Sequence, residues 1–130
     1  MKNNPFFIIL PVVLLVAVHC CHAQGAADKC PINFPVITFD PVNVTLTAAS
    51  KTRLKSIATS IKKQPGTLLF VNTLGLSTKS GQNNCNRKLM LVKTYLSEVE
   101  GIRMNRIIVN CEFTDSVALT NEVSFTCEQE

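Results

Sequence analysis

The sequence has little of the side-chain chemistry that most enzymes use. It has no tryptophan, one tyrosine and two histidines, and both histidines, His19 and His22, lie within the first 23 residues. The rest of the chain therefore cannot assemble a Ser-His or Cys-His nucleophile pair. Its acidic residues lie mainly in the tail and around Glu98 and Glu100, which does not indicate two carboxylates facing each other across a cleft. We predict that the protein is not an enzyme.

Long hydrophobic runs are also scarce. The one run of this kind, Phe6 to Val18, follows Lys2 and precedes Cys21-His22-Ala23. It is shorter than the roughly 18 to 20 residues that a membrane span needs. This arrangement is typical of a secretory signal peptide cleaved after Ala23. The mature protein is therefore predicted to be exported and to have no transmembrane span.

Two cysteines near the cleavage point leave a lipid-anchored form open. An acylated Cys20 or Cys21 would hold the protein at a membrane. Lipoprotein processing requires a small residue before the cysteine, and here those residues are His19 and Cys20. The predicted organisation is a signal peptide at 1–23, an N-terminal linker at 24–33, one domain at 34–127 and a tail at 128–130.

Charge and cysteine spacing exclude further classes of protein. Removing Lys2 from the 13 basic residues leaves 12 against 9 acidic ones, an excess too small to predict nucleic-acid binding. The mature chain has no histidine and no Cys-x-x-Cys spacing, so we predict neither a metal site nor a cofactor. In an exported chain, an even number of cysteines indicates disulfides, and four cysteines allow three pairings. The four are Cys30, Cys85, Cys111 and Cys127.

Hydrophobic periodicity predicts alternating strands and helices. Strands are expected over 34–39, 67–72, 106–111 and 118–127. One helix follows the cap Thr47 and ends at Gln64-Pro65-Gly66, and a second spans about 83–99 and stops before Gly101. Residues three and four apart form the inward face of each helix: Leu54, Ile57, Ala58 and Ile61 in the first, and Leu89, Val92, Leu96 and Val99 in the second.

The order β-α-β-α-β-β predicts an α/β fold (an α+β sandwich) with two helices packed on one mixed four-stranded sheet. Right-handed crossovers make the first three strands parallel, and the last two strands are then expected to form an antiparallel hairpin. In this topology Cys85 and Cys111 lie at the carboxyl edge of the sheet, whereas Cys30 and Cys127 lie at the opposite edge. We therefore predict disulfides between Cys85 and Cys111 and between Cys30 and Cys127.

Two stretches of the sequence resemble the OmpA-like (peptidoglycan-associating) domain family. ITFDPVNVTLTAASKTRLKSIATSIKKQP is similar to the opening of the family, which has a phenylalanine strand, a Leu-Thr helix entry and a helix closed by a proline. LMLVKTYLSEVEGIRMNRIIV is similar to its second helix and third strand, through Val92, Tyr95-Leu96, Gly101-Ile102 and Arg106-Ile107. The resemblance covers about residues 34–113 and implies an OmpA C-terminal-domain-like fold in a divergent member.

What the resemblance implies is peptidoglycan binding in the periplasm or at the outer membrane, through the diaminopimelate residue of the stem peptide. In the family, an aspartate in a Gly-His-Thr-Asp turn binds the ligand's ammonium, and an arginine in a Leu-Ser-x-x-Arg motif pairs with its carboxylate. That arginine falls on Lys88, next to Arg87, while Asn84 and Cys85 replace the Leu-Ser pair. Thr73 matches the threonine, but the stretch 71–88 contains no acid.

The predicted ligand-binding residues are therefore Thr73, Asn84, Arg87 and Lys88. The alternatives are that Arg87 and Lys88 are solvated surface charges and that Asn83 or Asn84 caps the helix. Asn43-Val44-Thr45 is a glycosylation sequon that matters only in a eukaryotic host. Two functions remain open: association with the peptidoglycan stem peptide, or a disulfide-stapled interaction or structural protein that contacts another envelope protein.

Overall fold

The computed structural model describes residues 30–130. The predicted signal peptide at 1–23, the alternative anchoring cysteines Cys20 and Cys21, and the first six residues of the linker, 24–29, lie outside the described residues. Within the described range, no helix has both the length and the apolar character needed to cross a membrane.

The described chain contains four strands and two long helices. They are β1 (Ile37–Thr38), α1 (Ala48–Lys62), β2 (Thr67–Gly75), α2 (Lys79–Thr94), β3 (Ile107–Phe113) and β4 (Glu122–Gln129). A π-helix at Tyr95–Val99 continues α2, and short 3-10 helices at Met104–Arg106 and Val117–Asn121 precede β3 and β4.

The strands form one mixed sheet in the order β1-β4-β2-β3. β2 and β3 are parallel, and β4 is antiparallel to both β1 and β2. The predicted fold class, two helices on a mixed four-stranded sheet, is confirmed. The predicted hairpin between the last two strands is wrong, because β4 is inserted between β1 and β2. The connection 114–121, which includes a 3-10 helix, carries the chain past β2 instead of making a tight turn.

Strand lengths also differ from the prediction. β1 is reduced to two residues of the predicted 34–39, since Pro35 has no amide hydrogen to donate to a ladder. β2 continues to Gly75, three residues beyond the predicted end, because Thr73 to Gly75 pair with Cys111 to Phe113 of β3. The predicted start of β4 at Ala118 is wrong, because residues 117–121 form a 3-10 helix.

Helix α1 follows the prediction closely. The hydroxyl of Thr47 accepts a hydrogen bond from the amide of Ser50 at 3.1 Å and caps the helix. The inward face predicted for this helix is buried against the sheet, with Leu54, Ile57 and Ile61 fully inaccessible. The chain then reverses at Gly66, whose φ of 80° lies in the left-handed region that favours glycine.

Helix α2 begins four residues before the predicted Asn83. Thr78 caps it by accepting a hydrogen bond from the amide of Gly81 at 3.0 Å, so the prediction that Asn83 or Asn84 caps the helix is wrong. At the other end, the amide of Glu100 donates to the carbonyl of Tyr95, five residues earlier. Within this wider π turn the regular spacing of inward-facing residues is interrupted. Val99, predicted to face inward, is consequently 63% exposed.

Two disulfides close the described domain. Cys30 is joined to Cys127, with Cα atoms 5.4 Å apart, and Cys85 is joined to Cys111, with Cα atoms 6.2 Å apart. These are the pairs that the topology predicts, because the pairing depends on strand direction and not on strand order. The Cys85–Cys111 disulfide ties the first half of α2 to β3, close to the predicted ligand-binding residues.

Candidate ligand-binding site

Three of the four predicted ligand-binding residues lie together in the middle of α2. Asn84 and Arg87 are exposed, whereas Lys88 faces the sheet. Asn84 lines two cavities, an open cleft that it shares with Arg87 and a small internal cavity that it shares with Lys88. The helix therefore presents one cation to solvent and one to the interior.

Lys88 is only 2% exposed, so for this residue the alternative of a solvated surface charge is wrong. Its ammonium donates a hydrogen bond to the backbone carbonyl of Thr120, in the 3-10 helix before β4. Burial lowers the pKa of Lys88, and no charged neighbour among residues 30–130 offsets this effect. The adjoining cavity has a volume of about 40 Å³. Lys88 therefore ties α2 to the segment before β4 and reaches at most a very small ligand group.

Arg87 lies in a larger and more open setting. It lines a cleft of about 280 Å³ between the segment 41–44 and the first turns of α2. Ser80, Asn83 and Asn84 line the same cleft from α2. A guanidinium presents paired donors that match a carboxylate, and the amide and hydroxyl groups add neutral donors. Among the described residues no carboxylate lines this cleft, so its chemistry favours an anionic group.

Thr73 does not join the other three residues. It is 4% exposed within β2, and its hydroxyl donates to the backbone carbonyl of Glu122 at 2.7 Å. Thr73 lines a different cavity, over the sheet, together with Asn72 and Glu112. The hydroxyl of Thr73 is therefore already bonded within the sheet, because β2 continues past the predicted end at residue 72.

Two glycines allow α2 to approach the end of β2 closely. A Cβ atom at Gly81 would clash with the carbonyl oxygen of Leu76, and one at Gly75 would lie 2.9 Å from Cβ of Cys85. Real Cβ atoms do not make contacts this short, so a side chain at either position would force the backbone apart. The close approach leaves only three residues, 76–78, between the strand and the helix.

Sequence reasoning missed two features of the site. The first is the wall formed by Pro41, Val42 and Val44. These residues belong to the site because the fold places them beside α2, and no sequence motif marks them. The partner of Lys88 is a backbone carbonyl, which any residue type at position 120 supplies. The buried position of Lys88 did have a signal, since Cys85, Lys88, Leu89 and Val92 follow the helical spacing of an inward face.

Comparisons with known sequences find no relative. No protein-family model matches the sequence, and no curated protein matches it.

Solved structures do match. The OmpA-like domain of FopA1 from Francisella tularensis superposes with a TM-score of 0.59 at 16% identity, covering 98% of this chain and 97% of that chain. Two structures of the periplasmic domain of Helicobacter pylori MotB give TM-scores of 0.55 and 0.54 at 15% and 13% identity. They cover 72% and 80% of this chain, and 71% and 89% of theirs. The protein therefore has the fold of an OmpA-like domain, as the sequence resemblance implies.

Proposed function

We propose that the protein is an exported, non-catalytic protein of the cell envelope that associates with peptidoglycan by binding a carboxylate of the stem peptide. The observation that carries this proposal is the Arg87 cleft. Arg87 and Asn84 are exposed in a cleft that Ser80 and Asn83 also line, and no described carboxylate is among its lining residues.

The fold supports the envelope assignment, because OmpA-like domains are the structures that this chain resembles. Two disulfides agree with an oxidising compartment such as the periplasm. The binding mode that we propose is half of the mode implied by the family resemblance. A carboxylate is bound by a cation on α2, and the ligand's ammonium has no acidic partner in the Arg87 cleft.

The cation that binds is Arg87 and not Lys88. Lys88 occupies the position of the family's arginine, but its ammonium is buried and already bonded to Thr120. Arg87 is one residue away, faces solvent, and has the planar guanidinium that binds a carboxylate with two parallel hydrogen bonds. The neighbouring position thus takes over the role.

Sedimentation with insoluble peptidoglycan tests this proposal. The oxidised protein is expected to sediment with peptidoglycan, and Arg87→Gln is expected to reduce the bound fraction strongly. Arg103→Gln is a matched control, because Arg103 is also exposed but lies after the π-helix, away from the cleft. Equal binding by the wild type and Arg87→Gln would refute the role of Arg87, and no binding by the wild type would refute peptidoglycan association.

One observation favours a second function, that of an interaction protein that no longer binds peptidoglycan. The cavity lined by Lys88 has a volume of only about 40 Å³, which leaves little room for a ligand at the position of the family's arginine. If this is the function, the wild type does not sediment with peptidoglycan. Leu74→Asp, which places a carboxylate at the border of that cavity, then gains binding. Such a gain would identify a lost site on a scaffold now used for contacts with another envelope protein.

A further inference from the structure

One face of α2 lines a second and larger cavity beyond the Arg87 cleft. This cavity has a volume of about 420 Å³ and lies between the segment 44–46 and the second half of α2 with its π-helix. Its volume is within the range of about 300 to 1,000 Å³ that is typical of ligand sites. We call it the apolar groove.

The apolar groove and the Arg87 cleft are neighbours on the same helix face. Ser80, Asn83, Asn84 and Arg87 line the cleft, and Leu91, Thr94, Tyr95 and Glu98 line the groove. These positions are spaced three and four residues apart, so they form one continuous stripe along the helix. Val44 lines both cavities and marks the border between them. Together they form one long channel, polar and cationic at one end and apolar at the other, which we call the α2 channel.

The floor of the apolar groove is firmly supported. Val44, Leu46, Leu91 and Tyr95 are half-buried and pack against the hydrophobic core on their inner side. Burial, followed by the charge of the neighbouring Glu100, raises the pKa of Tyr95. The floor of the groove is therefore continuous with the packed hydrophobic core.

The π-helix opens the groove at its far end. Its wide turn brings Val99 out of the core, and Val99 lines the groove while remaining 63% exposed. Without the π turn, the spacing from Leu89 through Val92 and Leu96 would bury Val99 against the sheet. π turns are rare and are frequent at functional sites. Here the irregularity adds an apolar side chain to a cavity, at the expense of the core.

The opposite wall of the channel is backbone without regular secondary structure. None of residues 41–46 pairs with a strand of the described sheet. The amides of Val42 and Asn43 donate to the carboxylate of Asp40, and the amide of Thr45 donates to the carbonyl of Asn43, whereas the amides of Val44 and Leu46 have no partner among residues 30–130. Two such amides, two residues apart beside a cavity, can bond to a second chain, as in strand-addition modes of peptide recognition. This wall favours a peptide over a compact small molecule.

Charge sets the polarity of the ligand. In the apolar groove Lys51 and Glu98 have opposite signs, so their charges cancel. Among the described residues that line the channel, the remaining charge is that of Arg87 in the cleft. The channel is therefore complementary to a peptide with an acidic group near Arg87 and an apolar group over Leu91 and Tyr95.

We propose that the α2 channel binds an extended peptide with an acidic residue at one end and a large apolar side chain further along. A helix rises about 1.5 Å per residue, so Leu91 and Tyr95 lie about 6 and 12 Å along the axis from Arg87. An extended chain rises about 3.3 Å per residue, so the acidic and apolar residues of the ligand are about two to four positions apart. The acidic end uses the same Arg87 as the proposed function, whereas the apolar half does not depend on peptidoglycan.

The test uses fluorescein-labelled alanine-based peptides in which an aspartate and a leucine are separated by different spacings, in both chain directions. Binding to the oxidised protein is measured by fluorescence polarisation. Peptides with both residues at the matching spacing are expected to bind more tightly than peptides with either residue alone. Arg87→Gln is expected to remove the preference for aspartate over asparagine.

A matched pair of variants tests the apolar half. Val99→Glu is expected to weaken binding by about tenfold or more. Met90→Glu, on the same helix and 50% exposed but outside the channel, is expected to leave binding unchanged.

The proposal is overturned if no peptide binds more tightly than an all-alanine peptide, or if the two variants weaken binding equally. Sedimentation with peptidoglycan that needs Arg87, without peptide binding, would overturn the channel and leave the proposed function standing. Peptide binding without sedimentation would overturn the proposed function and leave the α2 channel standing.

Discussion

The two disulfides are expected to stabilise the domain unequally, and the structure gives the size of the difference. Cys30 and Cys127 are 97 residues apart in sequence, whereas Cys85 and Cys111 are 26 apart. If a disulfide stabilises mainly by restricting the unfolded chain, these loops correspond to about 4.7 and about 3.5 kcal/mol. Replacing both cysteines of a pair by alanine should therefore cost about 1 kcal/mol more for the Cys30–Cys127 pair.

Urea unfolding of the two double variants and the wild type measures this difference. Each pair contains one almost fully buried cysteine, Cys127 at 4% and Cys85 at 1% exposure, so this part of the truncation cost is comparable. Domains of this kind are stable by about 5 to 15 kcal/mol in total, so both losses are large enough to measure. The reasoning would be refuted if removing the Cys30–Cys127 disulfide had the smaller effect. That result would mean that the segment around Cys30 detaches without unfolding the sheet.

Three further predictions concern α2 and its surroundings. Burial lowers the pKa of Lys88 below its ordinary 10.5, so the folded protein loses this proton before the unfolded chain does. The free energy of unfolding of the wild type should therefore rise relative to that of Lys88→Met as the pH increases from the lowered pKa to 10.5. If urea unfolding gives the same difference between the two proteins across that pH range, the burial of the ammonium is contradicted. Gly81→Ala should lower the melting temperature, with a cost of about 2 kcal/mol, because its Cβ would meet the backbone of Leu76; an unchanged or higher melting temperature would show that the helix start is looser than described. Thr78→Ala should cost about 1 kcal/mol of unfolding free energy, whereas Asn83→Ala should change it by less than about 0.5, and the opposite ranking would restore Asn83 as the cap.

The helices and strands and the crossovers between them could be predicted from the sequence, because hydrophobic periodicity and turn residues reflect local structure. Thr47 and the apolar face of α1 were predicted correctly on this basis. The order of the strands in the sheet could not be predicted, because the alternation of apolar and polar residues in β4 does not depend on which strands it pairs with. Val99 was misplaced because a fixed helical spacing was assumed, and the π turn shifts that spacing only after Tyr95.

The candidate site was predictable in its residues but not in their roles. Asn84, Arg87 and Lys88 are indeed neighbours, because they share two turns of one helix. Which cation faces solvent depends on the helix face and on the 3-10 helix that contains Thr120, a segment for which the sequence predicts a strand. The channel along α2 could not be predicted, since its second wall, the segment 41–46, has no regular structure and no motif.

The most direct test of the proposed function is a calorimetric titration of the oxidised protein with a soluble muropeptide in three chemical forms. The forms are the unmodified peptide, one with its carboxylates amidated, and one with its free ammonium acetylated. The Arg87 cleft contains donors and no described carboxylate, so amidation is expected to abolish binding and acetylation to leave it unchanged. Binding that survives amidation but is lost on acetylation would contradict recognition through Arg87.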